Sequence, residues 1–358
     1  MLKINYQLKK EHNKDFEKVR GNKPLGFGVL RTDHMFMMNY SNSKWYDPRI
    51  IPYQDIKVAP GAIGLNYSQT IFEGIKAFKH KDGKKYLFRA DEHVNRFNHS
   101  AEIMCTPSIP VNDQLQAIKS LIKVEEAWFP EQSGASIYVR PLLFSNEDCL
   151  GVRPGNSFIY CIFLSPSGEY YSQGLNGISL LTTKKFQRVL SWGIGTAKTG
   201  VNYGSSLYIL QKAKSLGAQQ VLFLDKNGEY LEEAGTMNHF YVNNKNEIII
   251  PKFNSSILRS ITSLSFLDLT KKLGYKIRQK NILFADFIKD LKNGYITEAG
   301  GLGTAAVVTP VVEYILDNGK KIKVGNGQVG PVAKKMYSLF TGIQSGEIKS
   351  PKGWLLKV

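Results

Sequence analysis

Lys198 stands in a run where nearly every neighbour is small: Gly193-Ile194-Gly195-Thr196-Ala197-Lys198-Thr199-Gly200. Glycine, alanine and threonine let backbone approach a ligand closely. A lysine in such surroundings suits a pocket amine better than a solvated surface charge, and a pocket amine can form a Schiff base with a carbonyl cofactor. The competing phosphate-loop reading needs glycine immediately before the lysine and another five residues earlier. Ala197 and Trp192 occupy those positions, so it fails twice. A polar, helix-compatible segment follows, from Asn202 to about Gly217.

The length of 358 residues predicts two domains, each with its own core. No apolar run reaches the roughly 18 residues that a membrane span requires. Residues 1–20 lack the apolar stretch of a secretory signal, and Glu11, Asp15 and Glu17 oppose a transit peptide. The expected location is the cytoplasm. Cys105, Cys149 and Cys161 are odd in number and widely spaced, which predicts free thiols. The net charge of +17 raises nucleic acid as a partner. However, the basic residues are scattered in short doublets such as Lys9-Lys10, Lys84-Lys85 and Lys271-Lys272, so neither nucleic acid nor membrane is expected.

Residues 1–24 read as a loose polar lead-in. Tyr86 to Arg89 reads as a strand, and a helix is expected from near Asp91, with its carboxylate as N-cap. Asp113 to about Phe129 has one apolar stripe, Leu115, Ile118, Leu121 and Ile122. Ala135 to Phe144 alternates at period two, which puts Tyr138 and Arg140 on one face. Phe158 to Leu164 is almost wholly apolar and expected to be buried on both faces. The turn-rich Ser165 to Gly174 predicts the hinge. This gives a small domain over residues 1–167, a linker over 168–177 and a larger domain over 178–358. In the second half, strands are expected at Gly177 to Thr183 and Gln219 to Asp225. A hairpin is expected over Phe240 to Pro251, and helices from Ser260 to Leu273, Phe284 to Lys292 and Val332 to Gln344. Gly300 to Thr304 reads as a turn.

Downstream of the lysine lies Leu231-Glu232-Glu233-Ala234-Gly235-Thr236-Met237-Asn238, with Glu233 thirty-five residues after Lys198. Further short segments occur in order: Phe27-Gly28, Thr32-Asp33-His34-Met35, Tyr67, Phe72-Glu73-Gly74, Tyr138-Val139-Arg140-Pro141, Leu150-Gly151-Val152 and Gly303-Thr304-Ala305. Together, from about Leu25 to the C-terminus, they resemble the branched-chain amino-acid aminotransferases. These are α/β, two-domain pyridoxal-phosphate enzymes of the D-alanine aminotransferase-like fold (fold type IV).

The resemblance implies a role for each residue. Lys198 carries pyridoxal 5′-phosphate and moves the substrate's alpha proton. Glu233 holds the pyridine nitrogen protonated, with Glu232 as the neighbour to discard. Tyr203 meets the phenolic oxygen. Arg96, in His93-Val94-Asn95-Arg96, holds the phosphate with Thr304 and the N–H groups of Ile261 and Thr262. Phe27, Tyr67, Phe72, Tyr138, Tyr170 and Thr236 wall the pocket for leucine, isoleucine or valine. Arg140 answers the distal carboxylate of glutamate or 2-oxoglutarate, and the amides of Thr304 and Ala305 clamp the alpha-carboxylate. Leu150 and Val152, with Tyr67, reach the other subunit's site in a homodimer. No metal is expected.

The chain departs from the family pattern at several places. Arg259-Ser260 replaces Pro-Gly, Leu302 replaces serine or threonine, Ser263 replaces arginine and Val201 replaces glycine. The animal enzymes' Cys-x-x-Cys pair is Ala306 and Thr309 here. D-amino-acid aminotransferase and aminodeoxychorismate lyase share the lysine and glutamate but lack the long N-terminal region. A cofactor-binding homologue with impaired catalysis is the alternative outside transamination.

Overall fold

Alternation at period two sorts the first sheet into two unlike faces. In strand Ser136–Ser145, Ile137, Val139 and Leu143 join a core with Phe36, Tyr160 and Ile162 from strands His34–Ser41 and Phe158–Ser167. Helices Ala90–Ile103 and Val111–Val124 cover that face through Val94, Phe97, Ile118, Leu121 and Ile122. Burial contributes roughly 1.5–3 kcal/mol for each such side chain. The intervening residues point the other way. Met35, Met37, Ile159 and Cys161, flanked by Leu142, Phe144 and Phe163, form an apolar patch there. The same face carries Tyr138 and Arg140.

The structure, a computed structural model, describes every residue except 22, 23, 133, 169–174, 190 and 191. Among the described residues there are two nine-stranded sheets. The order in the first is 5–6, 44–52, 34–41, 158–167, 136–145, 75–79, 85–88 and 355–357, with Thr70–Phe72 pairing to Ser136–Ser145. The order in the second is 231–234, 220–224, 178–182, 307–315, 296–303, 237–243, 247–251 and 276–280, with Lys321–Lys323 pairing to Val307–Ile315.

Opposite parities in the second sheet again face opposite sides. Leu180, Leu222 and Tyr314 meet Phe287 and Leu291 of helix Phe284–Lys292. Leu181, Val221, Phe223 and Ile315 meet Ile209 and Ala213 of helix Leu207–Ser215. The chain divides into two compact units. One is Met1–Ser172 with Ala197–Gly200 and Thr341–Val358; the other is Gln173–Thr196 with Val201–Phe340. The segment containing Lys198 and the C-terminal strand Leu355–Lys357 therefore belong with the first sheet.

Four local expectations need correction. The lead-in is not structureless: Asn5–Tyr6 pairs in parallel with the strand Lys44–Pro52, and Phe16–Arg20 is a helix. Asp91 is not an N-cap. Arg89 holds that position in a left-handed conformation at φ 47°, and Asp91 lies in the first turn, where its charge suits the helix dipole. The strand beginning at Phe158 runs through Ser165, Pro166 and Ser167, because each pairs with Ser136–Tyr138 on the next strand. Gly300–Gly303 is not a turn but the buried end of strand Ile296–Gly303, and the turn comes after it. Ser260 does cap its helix, accepting the Ser263 N–H. Among the described residues, no helix is long and apolar enough to cross a membrane.

Candidate active site

The lysine segment is pinned through its backbone. Phe72 N–H donates to Lys198 O at 3.0 Å. Lys198 N–H donates to Ser100 Oγ at 2.9 Å. The Thr199 hydroxyl donates to Thr70 O at 2.7 Å. Fixing the main chain on both sides fixes where the amine emerges. Its Nζ lies 4.8 Å from the centroid of the Phe72 ring, a cation–π contact.

Phe72 is shared. The Arg140 guanidinium stands 4.8 Å from its centroid and 5.3 Å from that of Tyr138. Arg140 also donates to the Tyr138 hydroxyl at 3.1 Å, while its Nε has no hydrogen-bond partner among the described residues. Phe27 meets Tyr138 edge-on at 4.9 Å. The pairing of Tyr138 with Lys76 explains a further cation here, since residues directly opposite in neighbouring strands share a face. Lys76 is buried, and burial lowers its ammonium to about 8. Gly74 is required beside them: a Cβ there would meet the Tyr138 hydroxyl at 1.9 Å. Lys198, Phe72, Tyr138, Arg140 and Phe27 thus form one cluster.

Arg96 is not a solvated helix arginine. Its Nε donates to Glu73 Oε1 at 2.6 Å and one terminal nitrogen donates to Oε2 at 2.9 Å. His93 Nδ1 approaches Oε2 at 2.9 Å. Burial by itself would raise the Glu73 carboxyl, but Arg96 and His93 hold it far below the usual range. Burial lowers His93 in turn, against the pull of Glu73. A bidentate pair of this kind sets the plane of the guanidinium before any anion arrives. Tyr67, more than a third exposed, donates its hydroxyl to Leu150 O at 2.5 Å. Leu150 and Val152 are 73% and 83% exposed, so they do not fold back on their own domain.

In the second unit, Glu232 and Glu233 are both buried, so exposure does not separate them. Their partners do. Glu233 Oε1 accepts Asn238 Nδ2 at 2.7 Å and the Leu258 N–H at 3.1 Å, and Oε2 lies 2.5 Å from Arg188 Nε. That last contact is an ion pair without hydrogen-bond alignment. All three of these groups are donors, as a carboxylate requires. Glu232 meets the Ser256 hydroxyl through one oxygen, while the other has no partner among the described residues, and burial raises this carboxyl. Arg188 also donates to the carbonyls of Gly195 and Ser256. Gly195 permits that packing, because a Cβ would lie 2.5 Å from Ser256 Cα.

Ile261 and Thr262 open helix Ile261–Lys272, whose first N–H groups lie beyond the helix's own bonding. Tyr203 is half-buried in helix Gly200–Gly204. Thr304 and Ala305 are half-buried in the turn after Gly303, and Thr236 is exposed in the turn before strand Met237–Asn243. Tyr170 lies outside the described residues. Sequence reasoning did not assign Glu73, Lys76, Arg188 or Asn238. Glu73 and Asn238 stood inside the quoted motifs, but only their long-range partners reveal a role. Nothing local marked Lys76 or Arg188.

The family profile of amino-transferase class IV matches residues 70–314. The chain belongs to the class IV aminotransferases and has their α/β, D-alanine aminotransferase-like fold, fold type IV. Branched-chain-amino-acid aminotransferase 2 of Bacillus subtilis (strain 168) is 40% identical over 336 residues, 93% of this chain and 92% of that protein. The branched-chain-amino-acid aminotransferase of Mycobacterium tuberculosis is 35% identical over 339 residues, 93% and 92% of the two chains. Among solved structures, the Escherichia coli branched-chain amino acid aminotransferase matches with a TM-score of 0.75 at 30% identity, over 90% of this chain and 98% of that one. The T.th. branched-chain amino acid aminotransferase with pyridoxamine 5′-phosphate matches with a TM-score of 0.74 at 27% identity, over 89% and 97%. Within its family the chain groups with the branched-chain amino-acid aminotransferases.

Enzymes of this family use pyridoxal 5′-phosphate, and the chain is a transaminase of that type. Each unit carries groups whose chemistry suits this cofactor: in the first an amine on a pinned backbone and an arginine with a set plane, in the second a carboxylate held by buried donors and a helix N-terminus.

Proposed function

We propose that the protein reversibly transfers the amino group of L-leucine, L-isoleucine or L-valine to 2-oxoglutarate, giving branched 2-oxo acids and L-glutamate. One observation carries this reading. Phe72 and Tyr138 make an apolar wall, and the Arg140 cation lies against both rings with Nε unpaired among the described residues. An aliphatic side chain needs the wall and leaves the cation on its rings. A distal carboxylate needs the cation. Arg140→Ala should slow the glutamate half-reaction about tenfold or more while changing the leucine half-reaction less than about threefold, because a charge-assisted contact is worth ~1.5–3 kcal/mol. Single-turnover kinetics with each amino acid tests this, and equal losses would make Arg140 structural.

The bound cofactor supplies an electron sink for the alpha carbon. Lys198 would hold it covalently and, once the substrate's amine has displaced its own, would move the alpha proton as base, then acid. Glu233 would keep a positive charge on the ring nitrogen, and Tyr203 would serve the phenolic oxygen. Arg96, Thr304 and the N–H groups of Ile261 and Thr262 hold the phosphate. The amides of Thr304 and Ala305 would take the alpha-carboxylate, and Phe27, Tyr67 and Thr236 would complete the wall.

The working form is a homodimer in the cytoplasm. Free Cys105, Cys149 and Cys161 support a reducing compartment. The exposed Leu150 and Val152 support a dimer, since covering them removes apolar surface at roughly 25 cal/mol per Å² and twofold pairing is the commonest closed symmetry. Light scattering at micromolar concentration should show a dimer. Mixing inactive Lys198→Ala with inactive Tyr67→Ala subunits should restore activity on exchange, through a site built from one chain's Lys198 and the other's Tyr67. A fully active monomer, or no recovery after proven exchange, would end this part of the proposal.

A further inference from the structure

Asn238 lies directly opposite Glu233 on the neighbouring strand, so their side chains share a face. The Asn238 amide is satisfied on all sides. Its Nδ2 donates to Glu233 Oε1 at 2.7 Å and to Leu258 O at 2.9 Å. Its Oδ1 accepts the Ser260 N–H at 3.2 Å and the Ser263 hydroxyl at 2.7 Å. Asn238, Ser263 and Glu233 are all buried.

An asparagine amide can turn over, exchanging its oxygen and nitrogen. Turned over here, its NH2 would face the Ser260 N–H, and its oxygen would face the Glu233 carboxylate and the Leu258 carbonyl. The Ser263 hydroxyl can donate or accept, so it does not choose between the two orientations; it supplies the second bond that holds the amide oxygen in place. A hydroxyl donor exists only because of the side chain, whereas the Ser260 N–H would be present with any residue but proline.

These contacts fall at positions where the resemblance implies other residues. The resemblance implies an arginine at Ser263 and a glycine at Ser260. Here Ser260 accepts the Ser263 N–H through its side chain, and Ser263 then sends its own hydroxyl to Asn238. Leu302 is fully buried in register with Asn238 and closes the strand side of the amide with apolar bulk.

We propose that Ser263 is a positioning residue for transamination: its hydroxyl anchors the amide oxygen of Asn238, whose orientation Glu233, Leu258 and Ser260 set, so that the anchored amide holds the Glu233 carboxylate in a fixed place for the cofactor. The proposal rests on Glu233 serving the cofactor's ring nitrogen. Its reach is limited to that end of the cofactor, so it affects both half-reactions alike.

The test uses the holoenzyme of Ser263→Ala and of Ser263→Cys, which keeps the volume but offers only a weak donor. Loss of one buried hydrogen bond predicts a fall of about five- to tenfold in kcat. The fall should be equal for leucine and glutamate, with KM nearly unchanged. Bound cofactor, followed by its visible absorbance on serial dilution, should leave severalfold more readily, and the pH dependence of that absorbance should shift. Ser263→Thr, which keeps a hydroxyl, should recover most of the loss. Thr270→Val, which removes a buried hydroxyl bonded to carbonyls of the same helix, should change none of these readouts. If Ser263→Ala and Ser263→Cys match the wild type in cofactor retention and kcat while Glu233→Gln does not, the proposal falls and the role of Glu233 stands. If Glu233→Gln is also normal, both fall. A loss equal to that of Thr270→Val, or one confined to a single substrate, also overturns it.

Discussion

Lys198→Ala should lose at least roughly a thousandfold in amino transfer, about 4 kcal/mol at ~1.4 kcal/mol per tenfold. The lysine is proposed to do two things no neighbour replaces: bind the cofactor covalently and move the alpha proton. The fold should survive. Both hydrogen bonds that pin the segment at Lys198 use its main-chain atoms, and alanine keeps them. The contact of the ammonium with Phe72 is lost, worth about 0.5–1 kcal/mol at such a site. Borohydride reduction of the holoenzyme followed by peptide mapping should tag Lys198. A tag on another lysine, or substantial turnover in folded Lys198→Ala, would overturn the assignment.

Glu233→Gln should lower kcat about a hundredfold, ~2.7 kcal/mol. An amide cannot hold a positive charge on the ring nitrogen as a carboxylate does. A second loss comes from the protein itself. Arg188 Nε lies 2.5 Å from Glu233 Oε2, while Asn238 and Leu258 donate to Oε1. A glutamine must turn its NH2 toward one of these donor sets. Whichever it faces, a buried donor is left against a donor. Breaking a buried pair by removing one partner costs roughly 3–5 kcal/mol. Thermal unfolding should therefore fall by several degrees, and activity must be normalised to folded, cofactor-loaded protein. Near-normal kcat after that correction would remove Glu233 from the chemistry.

The strands and helices were largely legible in the sequence, because period two and period 3.6 are local. Tyr138 and Arg140 fall on one face of their strand, and Ile118, Leu121 and Ile122 line the buried side of their helix. Turn residues misled where sheet pairing overrode them. Ser165 and Pro166 are strand because a neighbouring strand pairs with them, and Gly300–Gly303 is strand for the same reason.

The sequence by itself determined the lysine's setting, its spacing to Glu233 and the order of motifs that marks the family. Only the tertiary structure decided what each charged group rests on. Glu73 and Arg96 are 23 residues apart, and Glu233 and Leu258 are 25 apart. No periodicity links such positions. Ser263 read as a missing arginine until the fold set its hydroxyl against Asn238. Buried charges and amides must find partners or stay out of the core, and the partner is chosen by how strands and helices close in space, which a one-dimensional pattern does not contain.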